Sequence, residues 1–221
     1  RRSYALWREL EAARGEALLT RTGSLMVGRR ESELVRGTIR SGVQHAVPHE
    51  VLSAEELHRR FPGFEPSDEF VGVYEPGSSL LNPERVVTAQ LEAAREEGAE
   101  IRFNDALLSW YQSDNAVDAI LGSGPCGAAQ LVLAAGAWNP SLASDALRNV
   151  LVERQLQQWW TPARAPEWFT AANMPVSMWQ LADDRIFYTM PDTGRGLKLG
   201  WHHNGPNVDP DQVDREPGAV E

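Results

Sequence analysis

The chain has 221 residues, of which 42% are hydrophobic, and its 31 acidic and 21 basic side chains give a formal charge of -10 at pH 7. The length suffices for one large domain or parts of two, and the acidic balance argues against nucleic acid or anionic membranes as partners. No apolar run reaches the roughly 18 residues that span a bilayer, and the single cysteine, Cys126, excludes an internal disulfide and is compatible with the cytoplasm.

Short helices and strands are predicted to alternate over the first 80 residues. In chain order they are a helix over 4–15, extended runs over 18–20 and 24–27 on either side of Thr22-Gly23, a helix over 31–44, a short helix after Ser53, and a strand over 70–74. Ser53 and Glu56 form a capping-box pattern, which marks the start of the short helix, and Pro62-Gly63 marks its end.

The clearest helix signal lies in the middle of the chain. Asn82 is a good N-cap, Pro83 suits the first helical position, and Gly98 provides a stop. The sequence then predicts a strand over 100–103, a hairpin of 106–112 with 116–121, and a continuous apolar strand over 130–135 that leads into Gly136-Ala137-Trp138. A helix followed by a strand favours α/β packing.

After residue 150 the sequence becomes rich in aromatic residues and in predicted strands. Four aromatic-rich extended segments alternate with polar turns and predict an antiparallel sheet; they cover 155–161, 176–181, 186–190 and 196–202. Together the elements predict a mixed α/β and α+β fold with two domains, 1–150 and 151–221.

One glycine-rich segment matches a nucleotide-binding pattern. Gly122-Ser123-Gly124-Pro125-Cys126-Gly127 has the spacing G-x-G-x-x-G and follows a predicted strand. A phosphate-binding loop must open into a helix, whereas the segment that follows is short and β-like. We therefore predict a turn here, while a nucleotide site in a dehydrogenase stays as an alternative that fails if the loop joins two strands.

Lys198 is the most unusual residue of the chain, because it is the single lysine among 21 basic residues. Strand periodicity places Lys198, Gly200 and His202 on one face, where the glycine leaves room for a flat group to approach the backbone. Tyr188, on the preceding strand, is a candidate for the same surface. A solvated strand face, and packing for Tyr188, are the alternatives, and no metal-ligand spacing accompanies the histidines.

Five segments along the chain form a recognisable set. They are Leu19-Thr20-Arg21-Thr22-Gly23-Ser24-Leu25, Phe61-Pro62-Gly63-Phe64, Val73-Tyr74-Glu75-Pro76-Gly77-Ser78-Ser79-Leu80-Leu81, Ala135-Gly136-Ala137-Trp138-Asn139, and Gly196-Leu197-Lys198-Leu199-Gly200-Trp201-His202. In this order they resemble the monomeric sarcosine oxidase and N-methyltryptophan oxidase group of FAD-dependent amine oxidoreductases, in the D-amino-acid oxidase superfamily. The similarity runs along essentially the whole chain.

The resemblance implies an oxidase that transfers a hydride equivalent from a secondary amine to FAD and then reduces oxygen to hydrogen peroxide. It assigns the oxygen-activating lysine to Lys198, the active-site histidine to His202, and a substrate-side tyrosine to Tyr188. Gly136, Ala137 and Trp138 become candidates for lining the cofactor. Residues 1–150 would be a partial Rossmann-like FAD-binding domain without its N-terminal βαβ unit, and 151–221 part of the substrate-binding domain.

The departures from the family pattern predict a fragment. The chain begins with Arg1 rather than Met, and the family's N-terminal glycine loop and its C-terminal region, with the flavin-linking cysteine, are not found. We expect the 221 residues alone to be inactive and nearly free of flavin, and the full-length protein to be a cytoplasmic monomer. A cofactor-free binding or structural domain is the alternative. Sarcosine, N-methyltryptophan, pipecolate and glycated amino acids all remain candidate substrates.

Overall fold

The computed structural model describes residues 2–143, 147, 149–216 and 218. It divides into two compact units, each built from two segments: Arg1–Gln90 with Gln155–Asn204, and Leu91–Arg154 with Gly205–Glu221. The helices are α1 (Arg2–Arg14), α2 (Glu33–Gln44), α3 (Ala54–Arg60), α4 (Pro83–Glu96) and α5 (Asn139–Leu142). The strands are β1 (Leu19–Arg21), β2 (Ser24–Arg29), β3 (Glu50–Ser53), β4 (Phe70–Glu75), β5 (Ser79–Leu81), β6 (Leu107–Gln112), β7 (Val117–Leu121), β8 (Gly124–Ala128), β9 (Gln158–Trp160), β10 (Val176–Gln180), β11 (Ile186–Met190) and β12 (Leu197–His202).

A seven-stranded sheet in the order β3-β4-β2-β10-β11-β12-β9 forms the centre of the first unit. The strands from β10 to β9 are antiparallel, as the aromatic-rich segments predicted, and β2 pairs with β10 in parallel. Strand β1 does not join this sheet but pairs with β5. The parallel pairing of β2 with β10 was not predicted. It places the first quarter of the chain in the same sheet as β11 and β12, which carry the candidate site residues.

One face of the sheet is packed from β3 to β10. Leu25, Val27 and Trp179 are buried there against α3 and the loop after it, whose Leu57 and Phe64 belong to the same cluster. On the opposite face α2 covers the β2–β4 half, because Val35 packs onto Val71 and Val73. Over β11 and β12 both faces are mostly half-buried.

The predicted helix starts are confirmed. Glu56 donates its amide to the Ser53 Oγ, and the Ser53 amide donates to the Glu56 carboxylate, so the capping box is complete. The amide of Arg85 donates to the Asn82 Oδ1 at 3.0 Å, and Pro83 takes the first position of α4. Local backbone chemistry therefore fixes the beginnings of both helices.

In the second unit β6, β7 and β8 form an antiparallel meander. Gly122 and Ser123 are the turn between β7 and β8, and Ser123 donates through its amide and its hydroxyl to the Asp105 carboxylate. The glycine-rich loop therefore joins two strands. The turn prediction is confirmed, and the interpretation as a nucleotide site is wrong.

Two predicted strands of the second unit are not formed. Residues 100–103 and 130–135 are irregular, and within the described part of the chain neither run has a partner strand. Val132 is 86% exposed and Phe103 is 64% exposed. A strand needs a neighbour to satisfy its backbone groups, and apolar composition alone does not provide one.

The mixed α/β and α+β fold class is confirmed, since helices, antiparallel sheets and one mixed sheet occur together. None of the helices among the described residues is both long and apolar enough to cross a membrane. The assignment of 1–150 to a cofactor domain and 151–221 to a substrate domain concerns function, and it stays a prediction.

Candidate active site

Lys198 lies on β12 between two neighbouring strands. Met190 of β11 is its cross-strand partner on one side, and Trp159 of β9 is its partner on the other. The side chain is half-buried, and its Nζ lies 5.4 Å from the centroid of the Trp159 ring. Among the described residues no carboxylate lies within 4.0 Å of the ammonium, so its recorded partner is an aromatic face and not an anion.

Tyr188 and Gly200 face each other across β11 and β12 on the Lys198 side of the sheet. A Cβ on Gly200 would lie 2.5 Å from the Tyr188 hydroxyl oxygen and 2.6 Å from the Cζ. The space that the sequence suggested would be open is therefore occupied by the edge of the tyrosine ring. Burial raises the pKa of the Tyr188 phenol above the ordinary tyrosine value.

His202 ends β12 and is exposed. Its ring lies 4.0 Å, centroid to centroid, from the ring of His203, whose backbone is left-handed with φ 54°. Both histidines line a groove of about 320 Å³ with the Asp183–Arg185 turn. His202 shares the face of Lys198, but four residues of strand separate their Cα atoms by about 13 Å.

The loop between β11 and β12 is shaped by Asp192, which the sequence analysis missed. Its carboxylate accepts the amides of Gly194 at 2.6 Å and Gly196 at 2.8 Å, and these bonds lower the pKa of the carboxyl group. Both glycines have positive φ, 106° and 98°. The spacing Asp-x-Gly-x-Gly was the available signal, because an aspartate followed by glycines is typical of such turns.

The same loop carries Arg195 to the ring that Lys198 contacts. Its guanidinium carbon lies 5.4 Å from the Trp159 centroid, and its Nη1 lies 3.6 Å from a carboxylate oxygen of Glu84. Neither Trp159 nor Arg195 was predicted as a site residue. The adjacent tryptophans Trp159 and Trp160 stand out in the sequence. That their strand, β9, pairs with β12 cannot be predicted from local sequence patterns.

Gly136, Ala137 and Trp138 lie in the second unit, where they form a 3-10 turn just before α5. Gly136 has φ 56°, and the Trp138 indole donates to the Asp211 carboxylate at 2.8 Å. Ala137 and Trp138 also line a groove of about 390 Å³ within this unit. Their role in cofactor binding stays a prediction.

The structure thus brings Lys198, Tyr188 and Gly200 together on one strand pair, with His202 at the end of the same face. Within the described residues, no group of three or more histidine, cysteine or acidic side chains is arranged to hold a metal ion. The arrangement offers one cation, one neutral phenol and an exposed imidazole on a half-buried surface.

Curated relatives and solved structures match most of the chain. It is 35% identical over 217 residues to the monomeric sarcosine oxidase of Streptomyces avermitilis, an alignment that covers 97% of this chain and 56% of that protein. It is 28% identical over 212 residues to the N-methyl-L-tryptophan oxidase of Yersinia pestis, covering 94% and 55%. The chain therefore spans just over half the length of these curated relatives.

Structural neighbours agree on the fold. NikD, described as an unusual amino acid oxidase essential for nikkomycin biosynthesis, superposes with a TM-score of 0.72 at 20% identity, covering 95% of this chain and 56% of NikD. The L-proline dehydrogenase of P. horikoshii gives 0.72 at 18% identity, covering 99% and 57%. A family profile described as FAD dependent oxidoreductase matches residues 1–219. The chain belongs to this family of FAD-dependent oxidoreductases.

Proposed function

We propose that these residues form part of an oxidase that oxidises a secondary amine of the sarcosine type, an N-methyl amino acid, with FAD as hydride acceptor and oxygen as final acceptor. The names of the relatives support the substrate class. The observation that carries the proposal is the half-buried Lys198 ammonium, which lies on a sheet face with an aromatic ring as its neighbour.

We place the cofactor against the face around Lys198. Gly200 has no side chain, but the edge of the Tyr188 ring occupies the space over it, so a flat cofactor would lie against the tyrosine ring there and not against the backbone. The strand pairing is regular from Ile186 to Met190. Bound here, FAD would accept the hydride equivalent from the amine, and Lys198 and Tyr188 would lie against its ring.

Lys198 would act through its charge. Transfer of an electron to oxygen builds negative charge, and a fixed ammonium stabilises that charge without having to reorganise. A carboxylate partner would cancel much of this field, whereas an aromatic face leaves the net charge in place. Lys198 has the Trp159 ring as its neighbour and no ion-pair partner among the described residues, which supports a role in stabilising negative charge on oxygen.

Tyr188 and His202 would serve the amine side of the reaction. The phenol of Tyr188 can donate a hydrogen bond to a substrate carboxylate. The exposed His202 ring can pass a proton between water and the substrate amine.

We also propose that the full-length protein is a cytoplasmic monomer and that its partners are a small amine and oxygen.

The test is amine-dependent peroxide release by the protein made from the complete coding sequence, with sarcosine, N-methyltryptophan, pipecolate and a glycated amino acid as substrates. We expect release with at least one of them. Lys198→Met should slow flavin reoxidation by oxygen at least tenfold, while flavin reduction by the amine should change little. A tenfold slower reoxidation corresponds to an activation free energy that is higher by about 1.4 kcal/mol.

Arg195→Met is the matched control, because it removes one positive charge from the same aromatic ring. We expect it to leave both half-reactions nearly unchanged, since Arg195 is exposed and lies near Glu84. Equal slowing of both half-reactions by Lys198→Met would contradict the assigned role, and the absence of peroxide with all four amines would contradict the oxidase.

The 221-residue chain by itself should bind FAD weakly. Its G-x-G-x-x-G segment joins β7 and β8, so it does not present the helix N-terminus that binds a pyrophosphate. Titration of the chain with FAD, followed by flavin fluorescence, should show no saturation at stoichiometric amounts. Tight one-to-one binding would contradict this prediction.

A further inference from the structure

Trp159 holds a defined position beside the lysine. It lies on β9 at the edge of the sheet, and the register pairs it directly with Lys198, with Trp160 pairing with Leu197. Because side chains alternate along a strand, Trp159 shares the face of Lys198 and Trp160 points to the other face. The Nζ lies 5.4 Å from the Trp159 centroid, which is within the range of a cation–π interaction.

A flexible side chain needs something to hold its charged end. Lysine has a long stem, and fixing it costs rotamer entropy. Other strand lysines are commonly held by a carboxylate, but within the described residues none lies within 4.0 Å of this one. The indole face is thus the group that restrains the ammonium, and it does so without neutralising the charge.

Arg195 contacts the same indole, but its guanidinium has the Glu84 carboxylate 3.6 Å away. Its guanidinium lies 5.4 Å from the same ring centroid, and the Asp192 turn fixes the loop that carries it. Two cations therefore contact one indole in a chain whose formal charge is -10. Among the described residues, Lys198 is thus the one of these two cations that has no carboxylate within 4.0 Å.

We propose that Trp159 is a positioning residue: its indole face holds the Lys198 ammonium on the sheet surface with its charge uncompensated. This inference rests on the proposed function of Lys198, but the position of the side chain can be measured separately from catalysis. The chain contains one lysine, so a lysine label gives one signal.

The first test is NMR of the 221-residue chain labelled with ¹³C at the lysine Cε. In the unaltered chain, the Lys198 Cε protons should be shifted upfield by the ring current of Trp159. The shift should be lost in Trp159→Leu and retained in Trp159→Phe and Trp160→Leu. No upfield shift in the unaltered chain, or equal loss in Trp159→Leu and Trp160→Leu, would overturn the proposal.

The second test is stopped-flow kinetics of the flavin-loaded protein from the complete coding sequence. After reduction with dithionite, reoxidation by oxygen should be about two- to fivefold slower in Trp159→Leu, the factor that corresponds to one partly exposed cation–π interaction. Trp159→Phe should restore most of the rate, and Trp160→Leu should match the unaltered protein. Flavin reduction by the amine should be unchanged in all three.

The outcomes separate the two proposals. If Lys198→Met selectively slows reoxidation but Trp159→Leu does not, the positioning role is wrong and the function stands. If Lys198→Met affects both half-reactions equally, the oxygen-activating role of Lys198 is wrong, whatever the NMR shows about Trp159.

Discussion

The two faces of the seven-stranded sheet have different contents, although the same strands supply both. From β3 to β10 one face is packed with aromatic and aliphatic side chains, with Leu25 and Val27 fully buried and Trp179 7% exposed. Over β11 and β12 the other face carries Lys198, Tyr188 and Gly200, all only half-buried. Because alternation along each strand assigns neighbours to opposite faces, one sheet can separate stability from chemistry.

The largest effect should come from the packed face. Trp179 stacks on Phe187 with ring centroids 5.8 Å apart and meets Phe64 edge-on at 5.2 Å. Trp179→Ala should lower the free energy of unfolding by about 3–5 kcal/mol, because it leaves a large cavity in the core. Denaturant unfolding followed by circular dichroism measures this loss.

The control is Trp160→Ala, at a tryptophan that is 54% exposed on the edge strand. It should change the free energy of unfolding by no more than about 0.5 kcal/mol. Trp160 lies on the same face as Trp179, so similar losses at both positions would show that the packing of this face extends to the edge strand β9.

A smaller effect should follow from the buried hydroxyl pair behind Tyr188. The Ser177 Oγ accepts from the Trp179 indole at 2.7 Å and lies 2.6 Å from the Thr189 Oγ1, with both hydroxyl residues buried. Ser177→Ala should cost about 1–3 kcal/mol, since it leaves the Trp179 N–H and the Thr189 hydroxyl unpaired.

Thr189→Val should cost less than Ser177→Ala, because Ser177 keeps its bond from the indole. Thermal unfolding of both variants and of the double variant measures the two costs and their coupling. A larger loss for Thr189→Val would show that the Trp179–Ser177 bond contributes little.

Local signals in the sequence predicted the helix starts well, since the Ser53 capping box and the Asn82-Pro83 pair act within one turn of helix. Strand pairing was harder. The parallel contact of β2 with β10 joins distant segments, and the run 130–135 looked like a strand although its neighbours decide whether it pairs. Local patterns contain no information about such neighbours.

In the candidate site, too, local sequence patterns predicted some features, and strand pairing decided the others. Lys198 was found because it is the one lysine, and strand periodicity placed Gly200 and His202 on its face. The position of Tyr188 over Gly200 and the contact of Trp159 with Lys198 depend on register between strands. Register is set by the whole sheet, so these contacts required the structure.

The smallest effect on stability should come from Gly200→Ala on the half-buried face. The new methyl group would lie 2.5 Å from the Tyr188 hydroxyl oxygen, so the ring must move. The end of a half-buried tyrosine can swing towards water, and we therefore expect a loss below about 1 kcal/mol, less than in a fully packed core.

The pKa of Tyr188 reports this movement. In the unaltered chain burial raises the phenol pKa, so the free energy of unfolding is reduced as the pH rises from the ordinary tyrosine pKa of about 10 through the raised value. In Gly200→Ala the phenol becomes more solvated, its pKa should fall back towards the ordinary value, and the alkaline loss of stability should shrink. Titration of phenolate absorbance, with Tyr188→Phe to identify the transition that belongs to this residue, measures the shift. An unchanged titration would mean that Tyr188 keeps its place over residue 200 and that the half-buried face is packed as firmly as the core.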